Sequence, residues 1–486
     1  MSLPGLSWDA MLKKTGIWLE LITDIDMQFF IEKGMRGGIS YIAHRYGKAN
    51  NKYMKDYNAK EESSYLMYLD ANNLYGWAMP QPLPYGNFKW IHLKEGDLGK
   101  YTDHTKKGII LEVDLEYPDD LHDLHNDYPC APEKIIVTEE MLSDYCKNIK
   151  KLHGNSSGRV SKLVPTLQKK ERYVLHYKNL TLYESLGLKV SKVHRVLEFL
   201  QRPWLKPYID FNTEMRKEAK NSFEKDFFKL MNNSVFGKTM ENLRKRSNIQ
   251  LITDAEQLLR LTSKPTFVNH KIFNENLVGI NMKKEKIKLD KPSYAGMCIL
   301  DLSKTLMYDF HYNYIRKKYT DCQLLFTDTD SLFYHIKTED AYEDFYRDKE
   351  LFDNNDYSET SKYFSKENKK VIGKFKDEAA GRPILEFIGL KSKMYSYTTT
   401  EKNNKTAKGV KKNVIRKEIK HSDYRDALFN NEKMYHQMKT IRSDYHQISS
   451  YRLNKVSLSP FDDKRYILGD GIESYSYGHH EIKKKK

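Results

Sequence analysis

Cysteine is scarce in this 486-residue chain: Cys130, Cys146, Cys298 and Cys322 are its four, and none forms a Cys-x-x-Cys pair. Neither a disulfide scaffold nor a standard zinc ribbon is indicated, which suits a reducing, intracellular setting. Long apolar runs are missing too, so no stretch has the length of a membrane-spanning helix and no membrane partner is expected. Met1-Ser2-Leu3-Pro4-Gly5 lacks both a basic segment and an apolar one, and no signal peptide is expected.

What is present is positive charge and aromatic surface. Lys and Arg number 82 against 66 Asp and Glu, a formal net charge of +16. An excess spread along the whole chain suits a polyanionic partner, most often nucleic acid. The 35 Tyr and 21 Phe, interleaved with cations, supply rings for base stacking, although most will be core. The length allows one large domain or a few ordinary ones.

The chain is organised around Thr327-Asp328-Thr329-Asp330-Ser331. Apolar, β-prone residues flank it on both sides, so the stretch reads as a tight hairpin with two acids at its turn. Two carboxylates so close repel each other unless a cation lies between them. A solvated acidic turn is the plainer reading of these five residues alone.

Other stretches change the balance. Residues 1–33 read as helical, ending at Met35-Arg36-Gly37-Gly38, where paired glycines allow a backbone to approach a phosphate. Residues 65–69 read as a buried strand ending in Asp70, with Tyr75 past the following turn. Residues 108–116 form a further strand, and Asp114 and Glu116 read as its ordinary end. His122, His125, Cys130 and Cys146 match no standard zinc spacing. Residues 151–166, with Ser156, Ser157 and Gly158, read as a loop.

Residues 205–246 read as a broken, basic helical region in which Lys217, Lys225 and Lys229 share one broad face, a row suited to a triphosphate. Asn233, Ser234, Phe236 and Gly237 follow, a set suited to a base-pair surface. Residues 247–290 read as an inserted hairpin, and 294–318 as an amphipathic helix. Residues 353–370 read as a polar loop, and 387–397 as one strand with Lys393 and Tyr395 on one face. Residues 400–450 read as charged and mostly helical, and the lysine tail 483–486 as disordered.

Taken in order, Asp70 with Tyr75, Lys229 to Gly237, Asp328-Thr329-Asp330-Ser331 and Lys393-Met394-Tyr395 resemble the family B DNA polymerases, specifically the protein-primed organellar and viral group. The resemblance spans nearly the whole chain. It implies that Asp70 and Asp328 bind two Mg²⁺ ions (Mn²⁺ as a substitute), with Asp330 as the supporting carboxylate. It implies that Tyr75 gates the incoming sugar, that Lys229 with Lys217 and Lys225 grips the triphosphate, and that Asn233 and Phe236 pack on the nascent base pair. Ser234, Gly237 and Arg36-Gly37-Gly38 would lie along DNA, and Lys393 and Tyr395 would hold the primer end. Three residues depart from the pattern: Gly76 replaces a proline, Phe236 replaces a tyrosine, and Met35 precedes the Arg-Gly-Gly.

The implied fold is α+β, a right hand with a mainly antiparallel palm. Residues 1–38 would be the linker from an exonuclease, and no Asp-x-Glu precedes it, so a module without proofreading is expected. Residues 39–117 and 291–397 would form the palm, 201–246 the fingers, and 398–486 the thumb with a basic tail. Residues 118–200 and 247–290 resemble the two terminal-protein regions of the group. The implied partners are primer-template DNA, a dNTP and a terminal priming protein, with the chain itself a monomer; nuclear, viral and mitochondrial settings all remain open. A reverse transcriptase would show Asp-Asp at the hairpin. An inactive DNA-binding remnant would be free to lose Asp70, Asp328, Asp330, Lys229 and Tyr75.

Overall fold

Ser64–Ala71 is the strand on which the chain is built: apolar along most of its length, it is buried until it reaches Asp70. A computed structural model describes residues 2–94, 96–154, 160–444 and 447–484. Ser156, Ser157, Gly158, Lys485 and Lys486 lie outside the described residues. Ser64–Ala71 occupies the middle of a nine-stranded sheet. The hairpin strands Cys322–Asp328 and Ser331–Lys337 flank it on one side, and Ser40–Ile42 closes that edge. Ile384–Lys391, Met394–Thr399 and Asn403–Ala407 extend the other side, and every pairing is antiparallel.

A second layer packs on this sheet. Leu83–Ile91, Lys189–Arg202, Lys107–Glu116 and Lys170–His176 form a four-stranded antiparallel sheet. The boundary expected at residue 118 therefore falls inside one sheet, because later strands return to pair with Lys107–Glu116. Ser293–Asp309 packs against the four-stranded sheet, at Leu83–Ile91 and Lys170–His176, and against surrounding helices, and is buried on nearly every side. That corrects the amphipathic reading: its apolar residues run round the whole helix, as in a core helix. It continues as a π-helical segment, Phe310–Ile315.

Three further expectations change. Residues 1–33 form two helices, Leu3–Thr15 and Ile25–Gly34. Gly16 ends the first in a left-handed conformation, and the Asp24 side chain caps the second. Residues 387–397 form a hairpin, not one strand, because Lys393 (φ 60°) sits in the turn between Ile384–Lys391 and Met394–Thr399. No Gly, Pro, Asn or Asp marks that turn, so alternation alone ran through it. Residues 400–450 hold the short helices Lys412–Lys417 and His421–Phe429, then a ribbon of Met434–Asp444 with Gln447–Leu458. The ribbon is mostly exposed, which removes the apolar alternation that would mark a strand.

The basic helical region is Lys206–Glu218 and Ser222–Thr239, with the expected break; Asn221 caps the second helix by accepting from Glu224 N at 2.9 Å. Residues 247–290 exceed a hairpin: Asn248–Ile252, Phe267–Asn274 and Leu277–Met282 pair, with the helix Ala255–Thr262 on a small core of Ile252, Leu261, Ile280 and Met282. The tail is helical over His480–Lys484. Among the described residues no helix is long and apolar enough to cross a membrane.

The acidic hairpin is pinned from outside. Thr329 N donates to Ile39 O at 2.7 Å, and a Cβ at Gly38 would lie 2.2 Å from Thr329 Oγ1 and 2.7 Å from its Cβ. Gly38→Ala should therefore cost about 1–3 kcal/mol in a denaturant melt. Adding Thr329→Gly should recover most of that loss, because Thr329 has φ 67° and glycine is at ease there.

Candidate active site

Three carboxylates meet where the central strand and the hairpin turn end together. Asp70 lies opposite Ser331 in the ladder, and Ala71 N donates to Asp330 O at 2.7 Å. Asp328 ends the first hairpin strand opposite Ser40, and Thr329-Asp330 make the two-residue turn. All three side chains are partly buried, so the solvated-turn reading does not describe them. Burial and the neighbouring Asp330 push the Asp70 carboxyl up to about 7. Burial raises Asp330 as well, with Asp328 adding to it.

Cations surround the acids. Lys393 Nζ lies 3.1 Å from Asp328 Oδ1. Lys376, opposite Asp70 in the ladder, is 3.9 Å from Asp70 Oδ1 and pairs with Glu378. Lys229 lies close enough to lower both Asp70 and Asp330. Within the trio, Asp70 feels Asp330 most strongly among the charged groups, whereas Asp328 already has an ammonium partner. Hard oxygen donors at the end of the central strand and at the turn of the hairpin beside it, held against their mutual repulsion, suit a divalent cation such as Mg²⁺.

Past Asp70 the chain turns through Asn73 (φ 48°) into the short helix Leu74–Ala78. A Cβ at Gly76 would lie 2.1 Å from Asn73 Nδ2, so glycine makes room for that side chain. Tyr75 stacks on Phe236 of the helix Ser222–Thr239, with ring centroids 4.4 Å apart and planes at 23°. Burial and Asp330 raise the Tyr75 hydroxyl. Asn233 Oδ1 is buried without a hydrogen-bond partner. Ser234 is buried, whereas Gly237 is exposed with open space where a Cβ would stand.

Beside the acids a pocket is lined by Asn73, Arg216, Lys217, Lys229, Asn232 and Lys370. Lys225 is near enough to lower Lys370. Lys217 and Lys229 line one pocket, but from two helices, Lys206–Glu218 and Ser222–Thr239, so tertiary packing and not a shared helical face brings them together, and Lys225 does not line it. Arg216 and Lys370 were missed. Arg216 adjoins Lys217, so the helical row offered a signal for it. Lys370 comes from the polar loop, where no periodicity marks any residue.

Other expected residues lie elsewhere. Arg36 is buried: it donates to Val174 O at 2.7 Å and lies over the Tyr173 ring, so its head group faces inward. Gly37 has open space around it, and Gly38 accommodates the hairpin. Tyr395 is 8% exposed, its ring against Phe326 and its hydroxyl 3.3 Å from that of Tyr68. The four zinc candidates do not assemble: Cys130 and Cys146 are buried and free, and His125 Nδ1 bonds the Tyr117 hydroxyl at 2.7 Å. Asp123, His479 and His480 cluster instead, but His479 Nδ1 accepts from Glu481 N and its Nε2 faces Asp123 at 3.2 Å. Asp114 accepts from Arg172 N and pairs with His194, as suits an ordinary strand end.

The sequence profile of the family "DNA polymerase type B, organellar and viral" matches residues 9–317. A search of curated proteins returns no match. Among solved structures, Phi29 DNA polymerase in an orthorhombic crystal form aligns with a TM-score of 0.56 at 14% identity, over 94% of this chain and 68% of that one. Phi29 DNA polymerase with primer-template DNA, in a post-translocation binary complex, gives 0.55 at 14%, over 94% and 67%. The Phi29 ternary complex with primer-template DNA and incoming nucleotide gives 0.53 at 14%, over 94% and 68%. At that identity the likeness speaks for the fold.

Repulsion at Asp70 has a sign that a melt can read. Its folded pKa lies above the ordinary carboxylate value, so the native state holds a proton that the unfolded chain has released. The associated stability is present at low pH and is lost as pH rises through about 7. In protein stripped of divalent ions, Asp70→Asn should raise Tm at pH 8 by about 2 °C or more. The gain should fade as pH falls toward 5, as measured by differential scanning calorimetry in EDTA.

Proposed function

Since the chain belongs to the organellar and viral type B DNA polymerases, we propose that it extends a primer 3′-hydroxyl with dNTPs on a DNA template. One observation carries this reading: the partly buried carboxylates Asp70 and Asp330 lie within electrostatic reach of Lys229, which lines a cationic pocket with Arg216, Lys217 and Lys370. The central sheet acts as the palm and the helices Lys206–Glu218 and Ser222–Thr239 as fingers. Residues 398–486 act as the thumb. Residues 118–200 and 247–290 are the regions through which a terminal protein would engage a chain acting as a monomer.

The resemblance gave Asp328 the second metal; because Lys393 already pairs with Asp328, this reading instead has Asp70 and Asp330 as the residues that would hold two Mg²⁺ ions, with Asp328 supporting them. Bound there, the metals lower the pKa of the primer hydroxyl and neutralise the departing pyrophosphate. Lys229 and Lys217, with Lys225 behind them, take the triphosphate charge. The flat Tyr75–Phe236 stack meets the incoming sugar and base, and the Tyr75 ring leaves no space for a 2′-hydroxyl. Asn233 turns its unsatisfied Oδ1 toward the nascent pair. Lys393 shifts from Asp328 to the primer phosphate as DNA enters, and Tyr395 braces it from the core. Gly37, Gly38 and Gly237 let DNA approach, Arg36 acts from within by holding the backbone at Val174 O, and Ser234 acts from a buried position on the helix Ser222–Thr239. Phosphate contacts make binding fall steeply with salt.

Primer extension with Mg²⁺ tests the assignment. Asp330→Asn should lower single-nucleotide incorporation by about 10²–10³-fold, and Asp328→Asn by less. Equal activity of Asp330→Asn and wild type would sink the metal site. Tyr75→Val should keep dNTP incorporation and raise rNTP incorporation about tenfold or more.

A further inference from the structure

The pocket beside the acids has two walls of different origin. One is helical and carries Arg216, Lys217 and Lys229. The other is the segment after Arg347, which runs without helix or regular strand until Phe375 and delivers Lys370. Among the described residues none of these four cations makes an ion pair, and the Arg216 Nε is buried without a partner. Burial, with Lys225 and Arg216 nearby, lowers Lys370. Four cations converging on one pocket, with Asp70 and Asp330 within reach of Lys229 but none of the four held in an ion pair, suit an anion carrying several negative charges.

The loop wall is fixed, and its fixing point is Asp353. This carboxylate is buried at 6% exposure. Its Oδ2 accepts from Lys370 N at 2.7 Å and from Asn72 Nδ2 at 2.8 Å. Its backbone N donates to Phe375 O at 2.8 Å. Lys370 is held with φ 54°, an uncommon conformation for a lysine that needs such a tether. Asn72 is two residues from Asp70; its N donates to Lys374 O, and its O accepts from Gly373 N, both at 2.8 Å. One buried carboxylate thus joins the turn after Asp70 to the loop that carries Lys370.

We infer that Lys370 closes the triphosphate site from the side opposite the helices, and that Asp353 is the positioning residue that sets it in register with Asp70. This rests on the polymerase reading above and adds a second wall to its substrate site. The nucleotide is then clamped between helix and loop, with Arg216 meeting the phosphates beside Lys217. Asp353 never touches the substrate and acts through the Lys370 backbone and the Asn72 amide.

Two measurements on the full chain test this. Lys370→Ala should raise the KM for dNTP about tenfold with the Kd for primer-template DNA unchanged, and Lys370→Arg should recover most of it. Asp353→Asn should raise KM and also lower kcat, since both the loop and the turn after Asp70 lose their tether. Inorganic tripolyphosphate, titrated calorimetrically, should bind the wild type and bind Lys370→Ala and Arg216→Ala about tenfold more weakly; this needs no catalysis. If wild type extends no primer yet tripolyphosphate binding depends on Lys370, the polymerase reading fails and the anion site stands. Wild-type KM together with wild-type tripolyphosphate affinity in Lys370→Ala overturns the inference.

Discussion

Like charges held close at the end of one sheet set the terms for everything around them. Asp70 ends the central strand and Asp330 lies in the turn of the neighbouring hairpin, both partly withdrawn from water; Asp330 raises the cost of ionising Asp70, and Asp328 that of ionising Asp330. A chain left to itself would separate them. It is prevented by backbone bonds: Ala71 N to Asp330 O on the inside of the hairpin, and Thr329 N to Ile39 O on the outside. Lys393, Lys376 and Lys229 approach from three separate segments, and together they balance the acids only in part.

The second layer is what makes such a rigid corner affordable. A helix buried on nearly every side packs against the second sheet, and its Tyr294 hydroxyl donates to Glu20 O while its Lys304 Nζ donates to Arg36 O. The approach to the hairpin is thereby tied to the interior, and the inward-facing Arg36 belongs to the same scaffold. Gly38 meets the turn on that firm base. A corner of this kind holds charges in place without help from a ligand, which is the condition for electrostatic preorganisation.

The sequence disclosed the parts of the site that depend on local pattern. Asp70 ends an apolar strand, Asp328 and Asp330 mark a two-residue turn, and the lysines of 205–246 mark a basic helical region, although Lys217 and Lys229 meet across a break between two helices. Tyr75 and Phe236 stood out singly, and their stacking is a tertiary fact. What stayed hidden was contributed by irregular chain or by burial. Lys370 and Asp353 lie in a polar segment with no period, Lys376 belongs to a three-residue strand, and Arg36 looks from its neighbours like a surface cation. The Ser392-Lys393 turn has none of the residues that announce turns. The ribbon after residue 433 is wet on most of its surface, so hydropathy could not distinguish it from a charged helix.

The Lys393–Asp328 contact has a consequence for how the molecule is made. Many small metal-dependent domains have no folded state until the ion arrives, because unmatched ligands drive the site apart. Here a side chain already stands in as counter-ion, resting in a turn on the neighbouring hairpin, 43% exposed and free to swing away. Asp328 is thus matched by a side chain of the same chain, so the fold closes on this corner without leaving that carboxylate unpaired.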